Sequence, residues 1–242
     1  MNRMRRILFF LALWTLCATA LAQDFANEII WRDAASRDAL FLPARSFAQS
    51  IETLPLSDVS RGALRARIAI RRRQVEMGDE RCSFDIHAAP GPVIDESART
   101  LPQVMAGSEQ MFVASVLATV PGWSTWTDEP ATLVWVRVEE SVSGALEAGT
   151  TRAFLLADGA IEIDGIRLCG TIGTFHHPVP GERLLIDAVP YENDPRLVSA
   201  VHLFPMQGQV ITAQPYRHIH AFRPMTLERA RALARELREV QK

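Results

Sequence analysis

Six histidines occur among the 242 residues, and histidine is the side chain best placed to bind a metal or move a proton near neutral pH. If residues 216–222 run extended, His218 and His220 project from one face, a workable geometry for two metal ligands. His176, His177, His202 or His87 would have to supply a third. No spacing selects among them, and adjacent His176 and His177 would point apart on a strand. A zinc-dependent hydrolase built on His218, His220 and His176 is one reading; polar loop histidines are the other.

Nucleophilic catalysis has less support. The sequence contains neither a Gly-x-Ser-x-Gly elbow nor a Ser-x-x-Lys motif. Asp158 and Asp164 each precede a glycine, where aspartate serves turn geometry. Glu139-Glu140 reads as a solvated rim at a strand end. Gly170 and Gly173, within Cys-Gly-Thr-Ile-Gly, lack the spacing and the lysine of a phosphate-binding loop. Trp123 and Trp126, in Pro-Gly-Trp-Ser-Thr-Trp, offer a two-indole platform for a sugar or peptide, the alternative being that the loop packs on the fold.

The compartment is more legible than the chemistry. Basic Asn2 to Arg6, an apolar run from Ile7 to Leu16 and small residues ending in Ala20-Leu21-Ala22 have the layout of a secretory signal removed before Gln23. The apolar run is too short to span a bilayer comfortably. The apolar core after Arg5-Arg6 favours the ordinary secretory route over twin-arginine export. Loss of Arg3, Arg5 and Arg6 would leave 23 basic residues against 28 acidic, a net charge of about −5, which argues against nucleic acid as a general partner. No membrane span is expected once the signal is gone. Cys17 would leave with the signal, so Cys82 and Cys169 remain. In an oxidising compartment they most simply form one disulfide, contributing about 2–5 kcal/mol.

These residues must be positioned by a mainly β chain. Short helices fit best from Gln23 to about Leu54. Ser57 to Gly78 has a helix cap at one end and a glycine stop at the other; alternation of Leu64, Ala66, Ile68 and Ile70 with arginines competes, and helix is favoured. Its arginines read as a solvated, ion-paired face. Ala88 to Pro92 is a breaker. Gln110 to Val120 reads as a strand turned by Pro121-Gly122, and Thr132 to Glu139 as a strand with Val134, Val136 and Val138 on one face. Gly144 and Gly149 bracket a loop. Asp158-Gly159 and Asp164-Gly165 predict two-residue turns in a tight meander of Arg152–Ala157, Ala160–Ile163 and Ile166–Cys169. Further strands are expected at Arg183–Val189, Val198–Phe204 and Gln209–Thr212. Thr226 caps an amphipathic helix carrying Leu227, Ala230, Leu233, Ala234, Leu237 and Val240.

So many short strands with tight turns suggest a small closed or nearly closed barrel, because closure removes exposed edges. Val134 to Leu146, Leu168-Cys169-Gly170 and Gly181 to Ile186 resemble the OB-fold module of tissue inhibitors of metalloproteinases and netrin-type domains. Secreted bacterial proteins of unassigned function show a similar pattern of strand, Cys-Gly and strand. In the inhibitor family a strand ending in Val-Cys-Gly precedes a strand of the type Glu-x-Leu-Ile, and the cysteine pairs with one near the module's start. The resemblance implies that Cys82 and Cys169 fill those places. Here Glu182 and Leu185-Ile186 stand one residue further apart. Metalloproteinase inhibition in that family uses an N-terminal cysteine to chelate the protease zinc. Cys82 is not N-terminal and the other family cysteines are missing, so that chemistry would require processing just before Cys82.

The expected protein is therefore mainly β with flanking helices (α+β): a signal at 1–22, a helical extension at 23–92, a five- to six-stranded OB-like barrel at 93–223 and a C-terminal helix at 224–242. It would be a periplasmic or secreted, non-catalytic binding protein without a cofactor. Its partner would be a protein, peptide or glycan held at Trp123 and Trp126. The alternatives are the zinc hydrolase and a protease-inhibitor-like module.

Overall fold

The computed structural model of the chain describes residues 41–48, 50–78, 100–156, 159–170, 177–190, 198–212 and 223–240. The signal-like segment, Ala88 to Pro92, Asp158 and residues 213–222 lie outside them.

Short helices were expected before Leu54, but Phe41–Pro43 forms a strand, β1, followed by 3-10 turns at Ala44–Ala48 and Ile51–Thr53. Pairing decides this: Leu42 lies opposite Trp123 in an antiparallel ladder, which supplies the partners that a helix would otherwise supply internally. Helix α1, Asp58–Glu76, forms as the capping residues predict. The Ser57 hydroxyl oxygen accepts from the Ser60 amide at 3.0 Å, and Gly78 ends the helix with φ of 80°. Leu64, Ile68 and Arg71 are buried at helical spacing, so the alternating pattern loses. The Arg61 guanidinium donates to the carbonyls of Glu52 at 2.7 Å and Leu56 at 2.9 Å, holding the preceding turn against the helix.

Helix α2, Leu101–Gly107, was not foreseen, although its start is marked by Pro102 and by Gln103, whose side-chain oxygen accepts from the Thr100 amide at 2.7 Å. The strands β2 (Gln110–Ser124), β3 (Glu129–Ser143), β4 (Thr151–Leu156), β5 (Ala160–Ile163), β6 (Ile166–Cys169), β7 (Arg183–Pro190), β8 (Val198–Gln207), β9 (Val210–Ile211) and β10 (Met225–Thr226) follow, and α3 occupies Leu227–Val240. Among the described residues one antiparallel sheet runs in the order β10-β9-β8-β7-β2-β3-β4, with β1 also on β2, and β5–β6 form a separate hairpin.

Two turn expectations change. Pro121-Gly122 does not end the strand: β2 continues to Ser124 because Gly122 pairs with Pro43 on one side and Ala131 on the other. Asp164 (φ 51°) and Gly165 (φ 71°) form the predicted two-residue turn, yet the meander is not continuous. β4 pairs with β3, and β5 pairs with β6. At Gly159 a Cβ would lie 2.5 Å from the Ala131 carbonyl oxygen, so a bare backbone crosses β3 there.

Register shifts along β2 at Met111/Phe112, Val113/Ala114 and Val116/Ala118 bend the sheet. Its concave side buries Phe112, Val134, Val136, Phe154, Ile186 and Leu203. The opposite side of β2, β7 and β8 carries Met111, Val113, Leu185 and Phe204, covered by Leu101 and Met105 of α2 and Leu227 and Ala230 of α3. Helix α3 is capped as expected, the Thr226 hydroxyl oxygen accepting from the Arg229 amide at 3.2 Å. Arg238 then donates to the terminal carbonyls of α2, Met105 at 2.7 Å and Ala106 at 3.0 Å. The curl brings β4 near β8, but no ladder joins them among the described residues. The expected five- to six-stranded, closed or nearly closed barrel is thus, among the described residues, an open, curled sheet of eight strands, six of them within 93–223 and the other two, β1 and β10, from outside it.

Gly122 gives a test of the crossing. An added Cβ would lie 2.2 Å from the Leu42 carbonyl oxygen and 2.4 Å from the Phe41 ring. Gly122→Ala should therefore destabilise by about 1–3 kcal/mol in urea unfolding. Gly62→Ala, where a Cβ meets nothing within 4 Å on α1, should stabilise by about 0.5–1 kcal/mol.

Candidate functional site

The β2–β3 hairpin separates the two tryptophans. Trp123 is the penultimate residue of β2, fully buried among Leu42, Phe47, Leu64, Ile68, Ile161 and Leu168, so α1 and the β5–β6 hairpin close over it. Trp126 sits in the turn beyond and is 63% exposed. The expected two-indole platform is therefore not formed; one ring is core and the other is surface. The turn is ordered by the Ser124 hydroxyl oxygen, which accepts from the Thr127 amide at 3.2 Å. Asp128 closes it with φ of 51°, a conformation that aspartate tolerates better than most residues.

Around this tip the charges are only partly matched. The Arg67 guanidinium lies 6.0 Å from the centre of the Trp123 ring and 3.9 Å from a carboxylate oxygen of buried Glu129. The Trp123 Nε1 and Asp128 Oδ1 atoms are buried without a hydrogen-bond partner. A buried donor or acceptor left unpaired costs about 1–3 kcal/mol.

A second cluster was invisible to motif reading. The Ser108 hydroxyl donates to Asp187 Oδ1 at 2.6 Å, and His202 Nδ1 lies 2.7 Å from Asp187 Oδ2. In a nucleophilic triad histidine stands between serine and carboxylate. Here the carboxylate stands in the middle, so the Ser108 hydroxyl donates to Asp187 and not to the His202 imidazole. The cluster ties the start of β2 to β7 and β8, and the His202 ring stacks on Phe204 with centroids 6.0 Å apart. Its parts are 79 and 15 residues apart, and its one sequence signal is an aspartate inside the apolar strand Leu-Leu-Ile-Asp-Ala-Val.

Glu139 and Glu140 do not end the strand, since β3 runs on to Ser143, and both are paired. Arg183 Nε lies 2.6 Å from Glu139, Ser115 also donates to Glu139, and Arg231 lies 2.6 Å from Glu140. Burial alone would raise the Glu139 pKa, but the hydrogen bond from Ser115 and the Arg183 charge outweigh it and hold the group below its ordinary value of 4.5.

Of the expected metal ligands, His218, His220 and His176 lie outside the described residues, as does His87. His177 is exposed and His202 is engaged by Asp187. Among the described residues no group of three His, Cys, Asp or Glu side chains converges. Cys169 is disulfide-bonded; Cys82 lies outside the described residues. In comparisons with known proteins, no protein-family model matches the chain and no curated protein matches it significantly.

Two measurements check this geometry. Trp123→Ala should cost about 3–5 kcal/mol of stability, whereas Trp126→Ala should stay within about 0.5 kcal/mol of the parent in the same denaturation series. Because the Glu139 value is lower in the folded state, the folded protein binds fewer protons there. Its contribution is complete above about pH 4.5 and is lost as the pH falls through the folded value. The melting-temperature difference between the parent and Glu139→Gln should therefore be largest near neutrality and shrink on acidification.

Proposed function

We propose that the chain is an exported, non-catalytic binding protein of the OB type that presents its ligand contact at the tip of the β2–β3 hairpin. The observation that carries this reading is Trp126, a large aromatic ring 63% exposed on an ordered turn between two long paired strands. Aromatic side chains of this kind supply contact area at low entropic cost and anchor many recognition surfaces.

The strand order supports the OB likeness. β2, β3 and β4 follow one another, and β7 returns by a long connection to lie beside β2, which is the Greek-key arrangement. With β8 added and β4 curling toward it, these five strands approximate a partly open Greek-key barrel, an architecture that binds ligands along one face and its loops. The Ser108 hydroxyl meets the Asp187 carboxylate in place of the His202 imidazole, an arrangement unlike a nucleophilic triad, which favours binding over hydrolysis at that place.

Export is read from the signal-like start, and the disulfide follows from it: Cys169 pairs with Cys82, linking the β5–β6 hairpin to the segment after α1. N-terminal sequencing of the exported protein should give Gln23, and a non-reducing peptide map should give one Cys82–Cys169 peptide. Immobilised parent protein should capture a glycan or peptide from a defined library, and Trp126→Ala should lose that capture while keeping the parent's unfolding curve. Equal capture by the variant would remove the hairpin tip as the binding surface.

A further inference from the structure

We infer that the C-terminal end of α1 is a peripheral membrane contact. Ile70, Val75 and Met77 enter the interface of an anionic phospholipid surface, and Arg72 and Arg73 pair with its phosphates. This goes beyond the ligand contact at Trp126 and does not depend on it.

Apolar exposure is concentrated at this end of the helix. Eight large apolar side chains are exposed among the described residues, and three of them are Ile70, Val75 (50% exposed) and Met77 (77% exposed). From Arg72 to Gly78 only Gln74 is partly covered, so the last turn of α1 projects from the body of the protein. Ile70 and Met77 are seven residues apart and share one face of the helix, with Arg73 between them at spacings of three and four. Arg72 and Val75, three residues apart, share the neighbouring side. Arginine stems lie along apolar ground of this kind while their guanidinium groups reach polar headgroups.

Charge selects the partner. Helix α1 carries six arginines against Asp58 and Glu76, a formal charge of +4, in a chain whose formal charge is −2. The helix is therefore the positive pole of an acidic protein, and such asymmetry points to an anionic surface. Arg61 and Arg65 are engaged by Glu52, Arg67 faces Glu129, and Arg71 is buried. Arg72 and Arg73 are exposed and form no ion pair among the described residues, with Glu76 or with any other carboxylate. These two free cations stand beside the three exposed apolar side chains. A projecting helix end offers no groove to a folded partner. Fluid lipid closes around separate side chains, takes an apolar face to a depth of about 5–10 Å, and draws arginine to its phosphates.

The test uses the processed chain that N-terminal sequencing identifies, with parent and variants sharing one N-terminus, and measures flotation with vesicles. Vesicles of phosphatidylglycerol mixed equally with phosphatidylcholine should take up the parent about thirtyfold more strongly than phosphatidylcholine alone, the effect of two surface arginines. Arg72→Gln combined with Arg73→Gln should remove that difference. Arg72→Lys combined with Arg73→Lys should keep it, because a phosphate accepts a point charge as well as a fork. Val75→Gln combined with Met77→Gln should weaken uptake by about tenfold. All four side chains are exposed, so the variants should keep the parent's unfolding curve.

No uptake of the folded parent, equal uptake by both kinds of vesicle, or uptake that survives loss of both arginines would overturn the inference. Capture of the parent by a polyglutamate peptide without uptake by anionic vesicles would overturn it too, assigning the helix end to an acidic polypeptide.

Discussion

Strand β2 is hydrogen-bonded along both edges for much of its 15 residues, to β3 throughout and to β7 and then β1 on the other side. The rest of the structure depends on that double pairing. A strand in this position cannot relieve mismatch at a free edge, so each slip of register becomes a bend. The slips between Met111 and Ala118 turn a flat ribbon into a curl, and the curl creates an inside and an outside. Phe112 and Val116 therefore face one core while Met111 and Val113 face another. The far end of the same strand delivers Trp123 to a third core beneath α1. Three separate apolar contacts are thus set by one backbone.

Long-range polar ties hold the layers in register. Arginine supplies most of them: Arg61 to carbonyls before α1, Arg67 to Glu129, Arg183 to Glu139, Arg231 to Glu140 and Arg238 to the end of α2. Exposed ion pairs of this type contribute little individually. Arg61 and Arg238 do something different, because each satisfies backbone carbonyls that no helix or strand partner reaches. A fork with several N–H groups suits that work better than a single ammonium, which is consistent with a chain whose basic residues are arginine apart from Lys242.

Elements announced by local chemistry could be read from the sequence. Ser57 and Gly78 bounded α1, Asp164-Gly165 fixed a hairpin, and Thr226 opened α3. Errors arose where a distant strand supplied the missing partner. Pro121-Gly122 has the composition of a turn, yet it is strand because β1 and β3 flank it. Ala160–Ile163 is a strand as its sequence implies, but it does not continue the meander from β4: the backbone at Gly159 packs against Ala131 of β3, and β5 pairs with β6 alone. The same limit applies to the sites. Trp126 was legible as an aromatic in a loop, while the burial of Trp123 depends on α1, which precedes it by some 50 residues. The link between Ser108, Asp187 and His202 joins the segment before β2 to β7 and β8, and no local spacing encodes it.

The two helices that cover the outer side of β2, β7 and β8 come from opposite ends of the β region. Helix α2 precedes the first long strand, and α3 follows the last. During synthesis, Met111, Val113, Leu185 and Phe204 can all be in place before Leu227 and Ala230 exist to shield them. Until α3 docks and Arg238 reaches the carbonyls of α2, the growing chain carries an apolar sheet face open to water. Contacts of such sequence separation form late and slowly. The vulnerable species is therefore a chain whose sheet is made but whose final helix is absent, and a holdase that recognises extended apolar strands would meet it in that interval.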